Sequence, residues 1–269
     1  MTTRPTTRPP GTGLPYSTFE QRALRGLDLH PGGQVRADNA DRLIAYVRGL
    51  DLTGFLHSFS DAEVARTMHP RAYWHPGGFI RSQLFCGSRD LPEVRLHYWR
   101  SNDGVRFDEA VHEHPWDSVS VVLRGSVQNE FWSIGEGGDC PLVYFETADA
   151  ASAAYTRIGT CSPALTSRFD VAPGQYYWIP SGSFHRTRLL SDEAVTLFVR
   201  GPFLRRFSLI ADRIGPAQYA STRVDVAGAD LAESVRSLRR FVDDDGLGTM
   251  GEAGTGGTGP TGEPRSPWP

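Results

Sequence analysis

Residues 112–118 read His112-Glu113-His114-Pro115-Trp116-Asp117-Ser118, and residues 173–185 read Pro173-Gly174-Gln175-Tyr176-Tyr177-Trp178-Ile179-Pro180-Ser181-Gly182-Ser183-Phe184-His185. In a strand, side chains two apart share a face, so His112 and His114 project two imidazoles together, about 7 Å apart along the strand. Such a pair suits neighbouring ligands of one metal ion, although two histidines on a solvent-facing strand would look the same. In the second stretch, Pro180-x-Gly182 marks a turn three residues before His185. Glu113 alternates with the two histidines and is expected to face away from them. Asp117 is expected to do the same unless the chain bulges after Pro115.

Around these stretches the pattern has period two. FIRSQLF from Phe79, EVRLHYWR from Glu93, SVSVVLRGSVQNEFWSI from Ser118, LVYFET from Leu142, AYTRIG from Ala154, SRFDVA from Ser167, QYYWIP from Gln175, HRTRLL from His185 and AVTLFVRG from Ala194 all read as short strands separated by turn residues. Evenly spaced strands with little helix between them predict a sandwich or barrel. Helical spacing is confined to the flanks. Residues 38–50 place Leu43, Ile44, Val47 and Leu50 on one face, and Ser60 with Glu63 forms a capping box for a second helix. Residues 228–243 place Leu231, Val235, Leu238 and Val242 on one face of a closing helix. The expected organisation is a tail over 1–16, a helical extension over 17–77, a barrel with its closing helix over 78–245, and a second tail over 246–269. The tails are rich in Gly, Pro and Thr and too poor in apolar residues to offset the entropy of ordering.

The two stretches together carry a resemblance. Gly174, Pro180, Gly182 and His185 fit G(x)5PxGxxH, and His112, His114 and Gly125 fit HxH(x)3[E](x)6G, in that order along the chain. Over roughly residues 95–205 the sequence resembles the cupin superfamily. The resemblance implies an all-β fold, a double-stranded β-helix (jelly-roll barrel), with one metal near its mouth. Ser118 stands where the acidic ligand of the first motif is expected, and a hydroxyl is a poor ligand for a divalent ion. Leu189 stands where an asparagine is expected after the last histidine. A three-histidine set remains, His112, His114 and His185. Imidazole suits Fe, with Zn, Ni and Cu as alternatives.

More narrowly, the chain resembles cysteine-dioxygenase-like cupins, which also use three histidines. Phe79-Ile80-Arg81, Leu96-His97-Tyr98-Trp99 and the tail Gly201-Pro202-Phe203 carry that likeness. It implies that Arg81 holds a substrate carboxylate, with a structural salt bridge as its other reading. It also implies that the strand face shared by His97 and Trp99 points into the barrel. Trp116, Tyr176 and Trp178 flank the motifs as pocket lining or as packing. The family's cysteine–tyrosine pair has no counterpart, and its Ser-x-His-x-Tyr strand reads Thr196-Leu197-Phe198-Val199-Arg200 here.

Composition narrows the function classes. Net charge is −3, all 28 basic residues are arginine, and no basic run exists to hold nucleic acid or an anionic membrane. Without lysine the chain offers no Schiff base. Cys86, Cys140 and Cys161 form neither a CxxC nor an even set, so a reducing, cytoplasmic setting is expected and the thiols are expected to be buried or in loops. No stretch approaches a membrane-spanning length and the first residues lack a signal-peptide core. The reading that follows is a mononuclear non-haem Fe(II) dioxygenase, independent of 2-oxoglutarate. Its expected partners are O2 and a small anionic metabolite such as an amino-acid or thiol derivative. A metal-dependent isomerase, lyase or cyclase, and a ligand-binding cupin without turnover, are the alternatives. Cupins often pair, which leaves the oligomeric state open.

Overall fold

The computed structural model describes residues 15–25, 36–75, 77–100, 110–146, 155–211 and 226–244. Both tails, apart from the residues around Tyr16, lie outside the described residues. Four helices come first: α1 (Tyr16–Arg25), α2 (Arg36–Gly49), α3 (Leu52–Ser58) and α4 (Asp61–Met68). After a 3-10 turn at His69–Arg71 come β1 (Ala72–His75), β2 (Phe79–Phe85), β3 (Glu93–Arg100), β4 (Val111–His112), β5 (Ser118–Arg124), β6 (Val127–Glu146), β7 (Tyr155–Val171), β8 (Tyr176–Ile179), β9 (Phe184–Leu189), β10 (Glu193–Arg200) and β11 (Phe207–Ala211), then α5 (Gly228–Asp243).

The strands form two antiparallel sheets, ordered β1-β2-β3-β10-β5-β8 and β11-β4-β9-β6-β7. From β3 onward the chain alternates between them: β3, β5, β8 and β10 lie in the first, and β4, β6–β7, β9 and β11 in the second. That winding is the double-stranded β-helix, the jelly-roll architecture expected from the two motifs. β6 is long enough to pair twice, through Val127–Trp132 with β9 and through Leu142–Glu146 with β11.

The helices decide which face of the first sheet looks inward. Val94, Leu96 and Tyr98 of β3, Val119 and Val121 of β5, and Val195, Leu197 and Val199 of β10 pack outward against Leu43, Phe55, Met68, Leu231, Val235 and Leu238 of the helices. The alternate residues therefore face the barrel interior. Phe79, Trp99, Val122, Ala194 and Tyr177 meet Val127, Val171, Phe131 and Leu189 of the opposite sheet there. Because both faces are covered, β3 and β10 read as nearly continuous buried runs rather than a half-exposed alternation. Ser60 caps α4 with the reciprocal Glu63 contact expected from the sequence, and α5 occupies the expected span.

Three differences from the sequence reading have local causes. The stretch 118–134, read as one strand, divides at Gly125, which has positive φ, into β5 and the start of β6; β6 then runs on through 142–146, read as a separate strand, and 155–159 and 167–171 join as its partner. Bulges between Glu136 and Cys140, with Gly137 and Gly138 at positive φ, bend the ladder without ending it. β1, β4 and β11 are not read from the pattern, and β4 has only two residues. Cys140 and Cys161 are buried opposite each other in the β6–β7 ladder, and Cys86 is an exposed free thiol. Among the described residues no helix is long and apolar enough to cross a membrane.

Leu238 is fully buried between α5 and the outer face of the first sheet. Leu238→Ala should cost about 2–5 kcal/mol, the range for a large-to-small core substitution. A urea denaturation midpoint within error of the wild type would show that α5 is not part of the folded core.

Candidate metal centre

Two hydrogen-bonded segments bring the motifs together. Ser183 N–H donates to Pro180 O at 3.1 Å, closing a turn in which Gly182 has φ +80°. A side chain there would be strained, and its Cβ would also stand 3.2 Å from the Arg205 guanidinium. The His114 carbonyl accepts from Gly182 N–H at 3.0 Å, from Arg205 Nη2 at 3.1 Å and from Ser181 Oγ at 3.3 Å. Asp117 accepts from Ser181 N–H at 2.7 Å and from Asn39 Nδ2 at 2.8 Å. Glu113 pairs with Arg205 at 2.6 Å and accepts from Leu209 N–H. Both acids thus serve the scaffold, as their alternation with the histidines suggests.

His112 and His185 stand directly opposite each other across β4 and β9. The candidate ligand atoms of His112, His114 and His185 all lie within 4.8 Å of one another. Nε2 of His112 and Nε2 of His114 are 3.2 Å apart. Metal–imidazole bonds of about 2.0–2.1 Å put neighbouring ligand nitrogens at roughly this separation. Nδ1 of His112 faces Ala110 O at 2.8 Å, and Nδ1 of His185 faces Ser183 O at 2.9 Å. A carbonyl only accepts, so each Nδ1 carries a proton, which leaves Nε2 as the nitrogen through which either ring can ligate an ion. Burial pushes His185 down to about 3, with the neighbouring His112 lowering it further. Burial, then His112 and His185, hold His114 well below the usual histidine range. Neutral imidazoles with converging lone pairs are what a divalent ion requires, and the residues fit a metal. Ser118 is fully buried, and its hydroxyl has no hydrogen-bond partner among the described residues.

The expected site residues share the inner wall. His97 and Trp99 face inward on β3, with His97 stacked on Phe198 at 4.8 Å and Trp99 against Phe79 at 4.2 Å. Arg81, beside His97 on β2, binds Tyr73 Oη through Nη1 and Glu93 through Nη2, each at 2.8 Å. Trp116 stacks on His114 at 4.8 Å, while Tyr176 and Trp178 pack on the helix side of the first sheet.

Four residues not singled out in the sequence join this wall. His75 stacks on Phe79 at 4.5 Å. Glu93, Arg95 and Arg200 form a buried ion network with Arg81: Arg95 Nε reaches Glu93 Oε1 at 2.5 Å and Arg200 Nε reaches Glu93 Oε2 at 3.0 Å. Three guanidinium groups therefore share one carboxylate. Burial alone would raise the Glu93 carboxyl, but Arg95, Arg81 and Arg200 outweigh it and hold it far below the usual carboxylate range.

Removing that carboxylate leaves three buried cations uncompensated. Glu93→Gln should destabilise the protein by about 3–5 kcal/mol. A folded-state pKa below the unfolded value means that the stabilisation is complete above about pH 4.3 and is lost as pH falls further. Urea midpoints should therefore fall on acidification in the wild type, and this acid limb should be shallower in Glu93→Gln. Equal limbs in the two proteins would remove Glu93 from the acid sensitivity.

No protein-family model matches the chain, and no curated protein sequence does. Solved structures do. A cupin superfamily protein from Desulfitobacterium hafniense DCB-2 is 10% identical, with 43% of this chain and 71% of that one aligned at a TM-score of 0.25. An RmlC-like cupin family protein with a double-stranded beta-helix fold, from Methanocaldococcus jannaschii, is 6% identical over 48% of this chain and 84% of its own, at 0.29. An 11S globulin from Wrightia tinctoria is 16% identical over 52% of this chain and 29% of its own, at 0.31. Each aligns with about half of this chain at a low score, and the strand order given above is what defines the fold.

Proposed function

We propose that this chain is a mononuclear non-haem Fe(II) oxygenase that consumes O2 with a small anionic metabolite and needs no 2-oxoglutarate. The observation that carries this reading is the convergence of three imidazoles, with no carboxylate ligand among the described residues, beside an interior wall rich in guanidinium groups. His112, His114 and His185 would hold the ion, and iron, when bound, supplies the one-electron and O2 chemistry that side chains lack.

The chain's own residues do the rest. The backbone carbonyls of Ala110 and Ser183 fix the proton on Nδ1 of His112 and His185. Trp116 covers one face of His114 and limits water there. Phe79, Trp99 and Phe198 give this part of the barrel interior an apolar lining, and His97 stands among them with its Nε2 unbonded. In this reading His97 and Trp99 line the substrate position, and Arg81 contributes positive charge through the network it shares with Glu93.

Protein reconstituted anaerobically with Fe(II) should show O2 uptake that depends on an added carboxylate. Turnover without O2 uptake would replace this reading with a Lewis-acid isomerase or lyase, and binding without turnover would replace it with a ligand-binding module. Ser118→Ala should leave metal affinity nearly unchanged. Ser118→Asp should hold the metal as well or better, because a carboxylate is a stronger ligand than a hydroxyl, while O2-dependent turnover falls. A rise in turnover in Ser118→Asp would contradict the three-histidine site.

A further inference from the structure

The inner wall carries polar groups that the described residues do not satisfy. His97 Nε2, Ser118 Oγ, Ser120 Oγ, Thr196 Oγ1 and Asn129 Nδ2 are buried and have no hydrogen-bond partner among the described residues. Ser118, Ser120 and Thr196 are at most 1% exposed. All five lie on inward-facing positions: His97 opposite Thr196 across β3 and β10, Ser120 opposite Phe198 across β5 and β10, and Asn129 on the facing sheet. A buried unpaired polar group costs about 1–3 kcal/mol. Several of them at inward-facing positions of one barrel mark a place where a ligand supplies the partners.

The charge of the same wall says what kind of ligand. Arg81, Arg95 and Arg200 are set against Glu93 alone, so one carboxylate serves three cations. Glu93 is saturated: Arg81, Gln83 and Arg95 bind its Oε1, and Arg95 and Arg200 its Oε2. Arg200 has every nitrogen engaged, with Glu93, Leu91 O, Gly201 O and Ser88 O. Arg95 differs. Its Nε and Nη2 bind Glu93, and its Nη1 has no partner among the described residues. Its guanidinium lies over Phe198 at 5.2 Å and over Trp116 at 5.7 Å, and Trp116 is the ring stacked on the candidate ligand His114. Arg95 therefore stands one aromatic ring from the histidine cluster with one edge of its fork open.

We propose that Arg95 is the anion anchor of the barrel interior and that the ligand is a carboxylate bearing hydroxyl or oxo groups rather than an ammonium group. A carboxylate on the open edge of Arg95 answers the cationic surplus. Hydroxyl or oxo oxygens answer Ser120, Thr196 and Asn129. An ammonium group finds no free carboxylate, because among the described residues Glu93 is the only acid on the inner wall and it is saturated. This departs from the amino-acid expectation drawn from the sequence and places the anchor on Arg95 rather than Arg81. It rests on the proposed function only for the ligand's position beside the histidines.

The test uses matched acids on the full-length protein, lactate against alanine and malate against aspartate, with lactamide as the uncharged control. Thermal shift and titration calorimetry give the affinities, and metal content is measured on the same samples. Lactate or malate should raise the melting temperature at about 10 mM, through preferential binding to the folded state, and should bind at least tenfold more tightly than its amino counterpart. Lactamide should not bind. Arg95→Gln should lose at least tenfold in affinity with its metal content unchanged, and Arg81→Gln should lose less. Thr196→Val and Ser120→Ala provide a second route if Arg95→Gln does not fold. Each removes an unsatisfied hydroxyl, so the ligand-free melting temperature should hold or rise while affinity falls severalfold. A purely structural role would lower the melting temperature instead. Equal binding of amino and hydroxy acids, no binding of any acid, unchanged affinity in a folded Arg95→Gln, or unchanged affinity in both hydroxyl variants would each overturn the inference. Acid binding by a chain that holds no metal would overturn the iron reading and leave this one standing.

Discussion

One backbone carbonyl holds the candidate centre together. His114 O lies between the two motifs and accepts from Gly182 N–H, Ser181 Oγ and Arg205 Nη2. Asp117 grips the same turn through Ser181 N–H. Sixty-six residues of chain separate Asp117 from Phe184, where β9 begins, yet these bonds fix the start of β9 relative to His112 and His114. His185 then faces His112 across the strand pair with no freedom of register. The Gly201-Pro202-Phe203 segment locks the other side, through Gly201 N–H to Asp117 O at 2.8 Å and Leu204 N–H to Pro115 O at 2.7 Å. A scaffold of this kind fixes the three imidazoles relative to one another without an ion, which would keep the cost of binding a metal low.

The barrel divides its energetic work between the two faces of one sheet. The outer face is apolar and is covered by α2 to α5, and it supplies the burial that stabilises the fold. The inner face of the same strands carries Glu93, Arg95, His97, Thr196 and Arg200, and it costs stability through desolvated charge and unpaired hydroxyls. Buried ion networks often break even against apolar residues of similar volume. Here such a network shares the inner wall with unsatisfied polar atoms.

The division also explains what the sequence made legible. The metal candidates could be read because HxH and Pro-x-Gly-x-x-His encode their own geometry within a few residues. The closing helix and the Ser60–Glu63 cap were equally local. Arg95 was accessible to the same alternation that put His97 and Trp99 on one face, since Glu93, Arg95, His97 and Trp99 are spaced by two. What spacing does not encode is the partner. That Arg81 shares Glu93 with Arg95 and Arg200 depends on three strands pairing side by side, β2 with β3 and β3 with β10. His75 joins the wall only because four residues extend the sheet edge as β1. The β6–β7 ladder was cut by its glycines in the sequence reading, because a bulge and a turn use the same residue type.

The central claim is that the three histidines form one metal site. Elemental analysis of anaerobically purified protein, for the wild type and for His112→Ala and His185→Ala, tests it most directly. The account predicts a single divalent ion per wild-type chain, iron when iron is supplied, and strongly reduced occupancy in both variants. The barrel should persist in each, since its core does not involve the ion. A wild-type chain that binds no metal, or a His185→Ala chain that keeps its full complement, would contradict the account.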